Sequence, residues 1–164
     1  MERFFPADKI IMTGNPVRQN LLETKMTKEE ARLSFGLEPN KKTVLMIDDD
    51  MSYLKQLNNM LSDSYNVIMI NSAKLALDYL LKHTPDVILL DYQMPLYNGA
   101  NVMSMMQKNN DRKPIPIIIL SGSLNREAVQ ECYAFNPFAY LVKPVSKDTL
   151  TENIEQALAL GEAL

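Results

Sequence analysis

The chain has 164 residues, 46% hydrophobic and 23% charged, which supplies apolar material for one packed domain and argues against wholesale disorder. Seventeen basic side chains against twenty acidic ones leave a net charge of −3, the wrong sign for the broad basic footprint of a nucleic-acid binder. The apolar runs, such as Ile117-Ile118-Ile119-Leu120, are short, far below the ~18 residues of a membrane helix, and the N-terminus has no apolar signal core; with Cys132 as the one cysteine, no internal disulfide is possible and a cytoplasmic setting is expected.

In chain order, residues 1–42 come first and read as an N-terminal extension. They hold three prolines (Pro6, Pro16, Pro39), a short strand predicted over Lys9 to Met12, and one helix. That helix opens at the Thr-x-x-Glu capping box Thr27-Lys28-Glu29-Glu30 and ends at Gly36. There are too few apolar residues here for an independent core, so this appendage is expected to dock on the main domain.

From residue 43 the pattern alternates between short apolar runs and stretches of helical spacing, and five such units can be counted. The first pairs Thr43 to Ile47 with a helix whose inner face is Leu54, Leu57, Met60 and Leu61. The second pairs Tyr65 to Ile70 with a helix capped by Ser72, apolar at Ala73, Ala76, Leu77, Leu80 and Leu81. The third runs Asp86 to Leu90, then a helix with Val102, Met105 and Met106 inward and Met103 toward solvent. The fourth is Ile115 to Leu120 with a helix capped by Asn125 that buries Ala128, Val129 and Cys132. The fifth is Ala139 to Val142, then a helix capped by Ser146 with Leu150, Ile154, Ala157 and Leu158 inward, leaving 161–164 as a tail. Strands three and four are continuous apolar runs, as expected when helices cover both faces. The expected architecture is therefore α/β: a doubly wound, flavodoxin-like (βα)5 sandwich with a five-stranded parallel sheet over 43–160, plus the short N-terminal appendage.

Ligands of such sheets bind beyond the carboxyl ends of the strands. The residues found there are Asp48-Asp49-Asp50, Asn71, Asp91, Ser121 and Lys143. Asp48, Asp49 and Asp91 brought together repel unless a cation neutralises them, and hard oxygen ligands suit Mg²⁺ or Mn²⁺. Lys143 adds a positive charge and Ser121 a hydroxyl donor, an arrangement suited to a tetrahedral oxyanion. Phosphoryl chemistry uses every group, and a carboxylate can itself be the nucleophile toward phosphorus.

Four stretches, in order, carry a resemblance: Val44-Leu45-Met46-Ile47-Asp48-Asp49-Asp50, then Val87 through Gly99 around Asp91, then Ser121-Gly122, then Tyr140-Leu141-Val142-Lys143-Pro144. From Lys42 to about Leu160 the chain resembles a response-regulator receiver domain of two-component signalling. The resemblance implies that Asp91 accepts a phosphoryl group from the phosphohistidine of a histidine kinase or phosphotransfer protein. It implies Mg²⁺ bound by Asp48, Asp49, Asp91 and the backbone carbonyl of Gln93, with Lys143 pairing to the phosphoryl group. Ser121 takes the place of the switch hydroxyl, Tyr140 that of the switch aromatic, and Lys143-Pro144 that of a cis peptide bond. The output implied is a switched surface for a downstream protein. The implied chemistry is self-phosphorylation and self-dephosphorylation rather than enzymatic turnover.

Two positions depart from the pattern: Asn98 stands where an acid is usual before Gly99, and Asn136-Pro137 where many receivers have Gly-Ala. Asp50 reads as a helix cap rather than a metal ligand, His83 as a helix-end residue, and Cys132 as a small buried hydrophobe. A second resemblance lies in Phe5-Pro6-Ala7-Asp8-Lys9 and Gly14-Asn15-Pro16-Val17-Arg18, which look like the entry to the second lobe of the peptidoglycan glycosyltransferase that forms lipid II. That family continues into a Gly-rich turn for a nucleotide sugar. Here the strand runs into Asp48-Asp49-Asp50, which would repel a diphosphate, so sugar transfer is not expected; an unremarkable extension and a splice at equivalent first strands are both open, with the splice favoured. The alternatives are a haloacid-dehalogenase-like phosphatase with Asp48 as nucleophile, since Asp48 to Ser52 fits its Asp-x-Asp-x-Thr/Ser start, and a binding module independent of phosphorylation.

Overall fold

The computed structural model describes residues 10–12, 36–108, 114–123 and 126–163. The helix expected from Thr27 to Gly36 and the cap expected at Asn125 lie outside the described residues.

Among the described residues six strands and five helices follow one another: β1 (Ile10–Met12), β2 (Thr43–Ile47), α1 (Met51–Leu61), β3 (Asn66–Ile70), α2 (Ala73–Lys82), β4 (Val87–Asp91), α3 (Gly99–Gln107), β5 (Ile117–Ser121), α4 (Arg126–Tyr133), β6 (Ala139–Val142) and α5 (Lys147–Ala163). The strand order is β1-β3-β2-β4-β5-β6. The five strands from β2 onward are parallel, as expected, and the short strand predicted in the N-terminal extension joins the sheet as an antiparallel sixth, Ile11 opposite Met69. Strand order reverses between β2 and β4, and the crevice beyond their carboxyl ends holds Asp48 and Asp91.

Alternation along each strand deals side chains to two cores. Leu45, Ile47, Ile68, Ile70, Ile88, Leu90 and Ile119 pack toward α2, α3 and α4. Val44, Met46, Val67, Met69, Val87, Leu89, Ile118 and Leu120 pack toward α1 and α5. Burying each such side chain is worth roughly 1.5–3 kcal/mol, so the central strands anchor the fold.

The structure corrects four local expectations. In α2 the buried residues are Ala73, Ala76 and Tyr79, whereas Leu81 is 55% exposed; Ser72 occupies the cap position but its side chain makes no cap bond. In α3 it is Met103 that is sealed in the core, and Met105 and Met106 are half-buried. The reason is Gly99: a Cβ there would sit 3.2 Å from the Tyr92 Cα and 3.3 Å from the Asp91 carbonyl, so this face of α3 presses on the end of β4. Residues 102, 103 and 106 then face inward with it. Finally, α5 does not stop at 160 but continues to Ala163, with Lys42 paired to Glu162 at 2.7 Å. At its start Ser146 Oγ accepts the Thr149 N–H, as expected of the cap.

Candidate functional site

The apolar run of β2 ends at Ile47, and the next residue, Asp48, is 2% exposed at the sheet's carboxyl edge. Its Oδ1 accepts the Asp50 N–H at 2.9 Å. Asp50 in turn caps α1, accepting the N–H groups of Ser52 and Tyr53 at 2.9 and 3.2 Å, the role expected of it. On the neighbouring strand Asp91, 3% exposed, is the last residue of β4. One carboxylate oxygen from each of Asp48, Asp49 and Asp91 fits within 4.8 Å of the others, with Asp49 the exposed member.

Lys143, just past β6, reaches into this cluster. Its Nζ bonds Asp91 Oδ1 at 2.8 Å and Asp48 Oδ2 at closer range. The cis Lys143-Pro144 bond expected from the motif is present. The ammonium also stands 4.5 Å from the centre of the Tyr53 ring, a cation–π contact supplied by the first turn of α1.

Burial is the dominant influence on both acids. It raises the Asp48 carboxyl against the opposing pull of Lys143 and the Asp50 N–H. It pushes Asp91 up to about 6, with Lys143 lowering it and the neighbouring Asp48 charge raising it. Burial alone would lower Lys143, but its bonds to Asp48 and Asp91 outweigh that and hold the ammonium above its ordinary value. The pocket is thus short of positive charge: one ammonium serves three carboxylates. Three hard oxygen donors within reach of one point, two of them buried and driven upward, suit a small divalent cation such as Mg²⁺.

The remaining sequence-predicted residues lie around this cluster. Ser121 ends β5, 1% exposed, and its hydroxyl donates to the Ser123 carbonyl at 3.0 Å, not to the acids. Tyr140 lies in β6, half-buried against the core under α2–α4, with a buried hydroxyl that has no hydrogen-bond partner among the described residues. Gln93 is exposed on the loop after β4, two residues past Asp91, and its backbone amide lowers the Asp91 carboxyl against the effect of burial. Asn71 follows β3, and its side-chain Oδ1 is buried with no hydrogen-bond partner among the described residues. His83 caps the end of α2 and stacks on Tyr79, ring centres 4.4 Å apart, and Cys132 is fully buried in α4, both as expected.

Residues 44–155 match the response regulator receiver domain family. The chain belongs to this family. It is 32% identical over 116 residues to a putative two-component response regulator of Arabidopsis thaliana, covering 70% of this chain and 26% of that protein. It is 30% identical over 116 residues to a probable cyclic di-GMP phosphodiesterase of Vibrio cholerae serotype O1, covering 71% of this chain and 26% of the relative. Among solved structures, the chemotaxis response regulator CheY4 of Vibrio cholerae is 28% identical, with a TM-score of 0.67, covering 72% of this chain and 99% of that one.

A second likeness has a different source. Over 61 residues the chain is 57% identical to the UDP-N-acetylglucosamine–N-acetylmuramyl-(pentapeptide) pyrophosphoryl-undecaprenol N-acetylglucosamine transferase of Bacteroides fragilis, covering 37% of this chain and 16% of the enzyme. The chain therefore spans a sixth of that glycosyltransferase and about a quarter of the two other curated relatives above.

In this receiver domain, the sequence pattern did not single out two residues near the acid cluster. Tyr53 stacks under Lys143, and its signal was an aromatic in the first turn after the acidic motif. Glu131 on α4 reaches the residue after Asp91: Tyr92 Oη donates to Glu131 Oε2 at 2.8 Å. Burial, the Glu131 bond and the Glu131 charge together push the Tyr92 phenol well above its ordinary value. The alternatives also look different now. A phosphatase acting through Asp48 leaves Asp91 without a role, whereas Asp91 is a buried member of the acid cluster.

Proposed function

We propose that this receiver takes a phosphoryl group on Asp91 and passes the signal on through protein contacts. The observation that carries the reading is the bridge made by Lys143 Nζ between Asp48 and Asp91, three residues far apart in sequence that meet at the reversal point of the sheet. Asp48, Asp49 and Asp91, with the Gln93 backbone carbonyl, would hold the divalent ion. When bound, Mg²⁺ supplies charge neutralisation for the carboxylates and the incoming phosphoryl oxygens.

The chain's own groups do the rest. An Asp91 carboxylate oxygen attacks the phosphorus of a phosphohistidine; the N–P bond breaks, the electron pair stays on the imidazole, and an acyl phosphate is left on Asp91. Lys143, already beside Asp91, pairs with the transferred oxygens. Ser121 gives up its bond to the Ser123 carbonyl to donate to one of them, and Tyr140 moves with it as the switch aromatic. Water returns Asp91 to its starting state, so the chemistry is self-limited and the domain is no turnover enzyme. The donor is a sensor histidine kinase or phosphotransfer protein and the receiver of the signal another protein. A cytoplasmic site agrees with a single, buried thiol.

We divide the chain into a 1–42 extension and a receiver over 43–160 that continues into the end of α5; the glycosyltransferase likeness, 61 residues long, is too long for 1–42 alone and so shares residues with the receiver. The family match beginning at residue 44 and β2 beginning at Thr43 support this boundary. The acidic turn after β2 speaks against sugar transfer.

The test is incubation of the full chain with acetyl phosphate and Mg²⁺, then peptide mapping. Label on Asp91, lost in Asp91→Asn, is the expected result. Label on Asp48 would make it a phosphatase-like site. No label with acetyl phosphate or a phosphohistidine donor would leave a binding module that does not use phosphate.

A further inference from the structure

Asn98, which stands where receivers usually have an acid, is engaged on two sides. Its Oδ1 accepts the Asn101 N–H at 2.9 Å, Asn101 Oδ1 accepts the Asn98 N–H at 3.0 Å, and the pair forms a capping box for α3. Its Nδ2 meanwhile donates to Glu131 Oε2 on α4 at 3.4 Å. That same oxygen accepts the Tyr92 hydroxyl. Tyr92 is itself fixed, its N–H bonded to the Leu120 carbonyl at 2.8 Å and its carbonyl accepting the Gly99 N–H at 2.9 Å. One carboxylate oxygen on α4 therefore gathers both ends of the loop that leaves Asp91. Helix α4 has eight residues and fully buries Ala128 and Cys132, and this polar tie adds to that apolar anchorage.

We infer that Glu131 is a positioning residue that clamps α4 to the phosphorylation loop before phosphoryl transfer, and that asparagine at position 98 is what permits the clamp. An acid at 98 would set a second carboxylate within hydrogen-bonding range of Glu131, where like charges repel even under solvent screening. The regulatory consequence rests on the phosphoacceptor reading: if phosphorylation favours a shifted α4, the clamp holds the receiver in its resting arrangement and slows phosphate uptake.

Aspartate caps a helix as well as asparagine does, so Asn98→Asp removes the Glu131 tie and spares the start of α3. Two measurements on the full chain separate the claims: amide exchange of Arg126–Tyr133 without phosphodonor, and the initial rate of labelling by acetyl phosphate with Mg²⁺. In N98D both are expected to rise by about two- to fivefold, the size of an exposed charged contact. In N98D/E131Q, where the glutamine amide can donate to the introduced carboxylate, both should return to wild-type values. Removing the hydroxyl in Tyr92→Phe should raise both by roughly twofold. Unchanged α4 exchange in N98D, or no return in the double variant, overturns the clamp. Faster exchange with an unchanged labelling rate overturns its regulatory role. If the wild-type chain takes no label, the Asp91 reading falls, and the exchange measurement still decides the clamp.

Discussion

Ile88, Leu89 and Leu90 are sealed within β4, and Asp91, the next residue of the same strand, is equally sealed at 3% exposure. The burial is alike and the energetics are opposite. Each apolar residue gains by leaving water, whereas Asp91 loses hydration that one shared ammonium only partly restores. The strand interior thus supplies the stability that the strand end gives up. A site built this way, with carboxylates in excess of its one ammonium, suits a divalent cation.

That contrast can be broken, starting with its largest expected effect. Leu90→Ala should destabilise the fold by about 2–5 kcal/mol in urea unfolding, the cost of a cavity between α2, α3 and the sheet. Next comes the cation: Mg²⁺ at a hundredfold excess over its dissociation constant should stabilise the wild type by about 2.7 kcal/mol and Asp91→Asn by much less, read as shifts in urea midpoint. In EDTA at neutral pH, Asp91→Asn should itself be more stable than wild type, by on the order of 2 kcal/mol, because the variant buries no charge there. If Asp91→Asn destabilises instead, the strand end is not strained and the contrast fails.

The pH dependence has a definite sign. Asp91 is pushed up to about 6 in the fold, so between its ordinary value and that point the folded state holds a proton that the unfolded state has released. In EDTA this group's contribution therefore declines as pH rises from about 4 to about 6 and is level above that. Urea midpoints of the wild type relative to Asp91→Asn across that range give the slope directly. The smallest effect belongs to Asp50, an acid of the same rim whose role is purely local. Asp50→Ala should cost about 1 kcal/mol through the lost α1 cap and keep the Mg²⁺ response.

The site was legible because its residues sit at strand ends, and apolar runs such as Thr43–Ile47 and Val87–Leu90 announce where strands end. Five parallel strands and the acid cluster were readable on that ground. Helix phase was less readable. Leucine count in α2 pointed inward at Leu81, but the helix turns Tyr79 to the core, since an aromatic buries more area than the next leucine. In α3 the methionines resemble one another, and only the close approach at Gly99 decides which is covered. Contacts made between elements, such as Lys143 over Tyr53 or Glu131 to Tyr92, join residues ninety and thirty-nine positions apart and leave no periodic trace. Asn136 is an intermediate case: its φ of 50° lies in the left-handed region, which asparagine tolerates better than most residues, so it serves where glycine is usual.

The outermost strands of the sheet, β1 and β6, are three and four residues long. On the β6 side a border this brief gives another chain little backbone to zip onto.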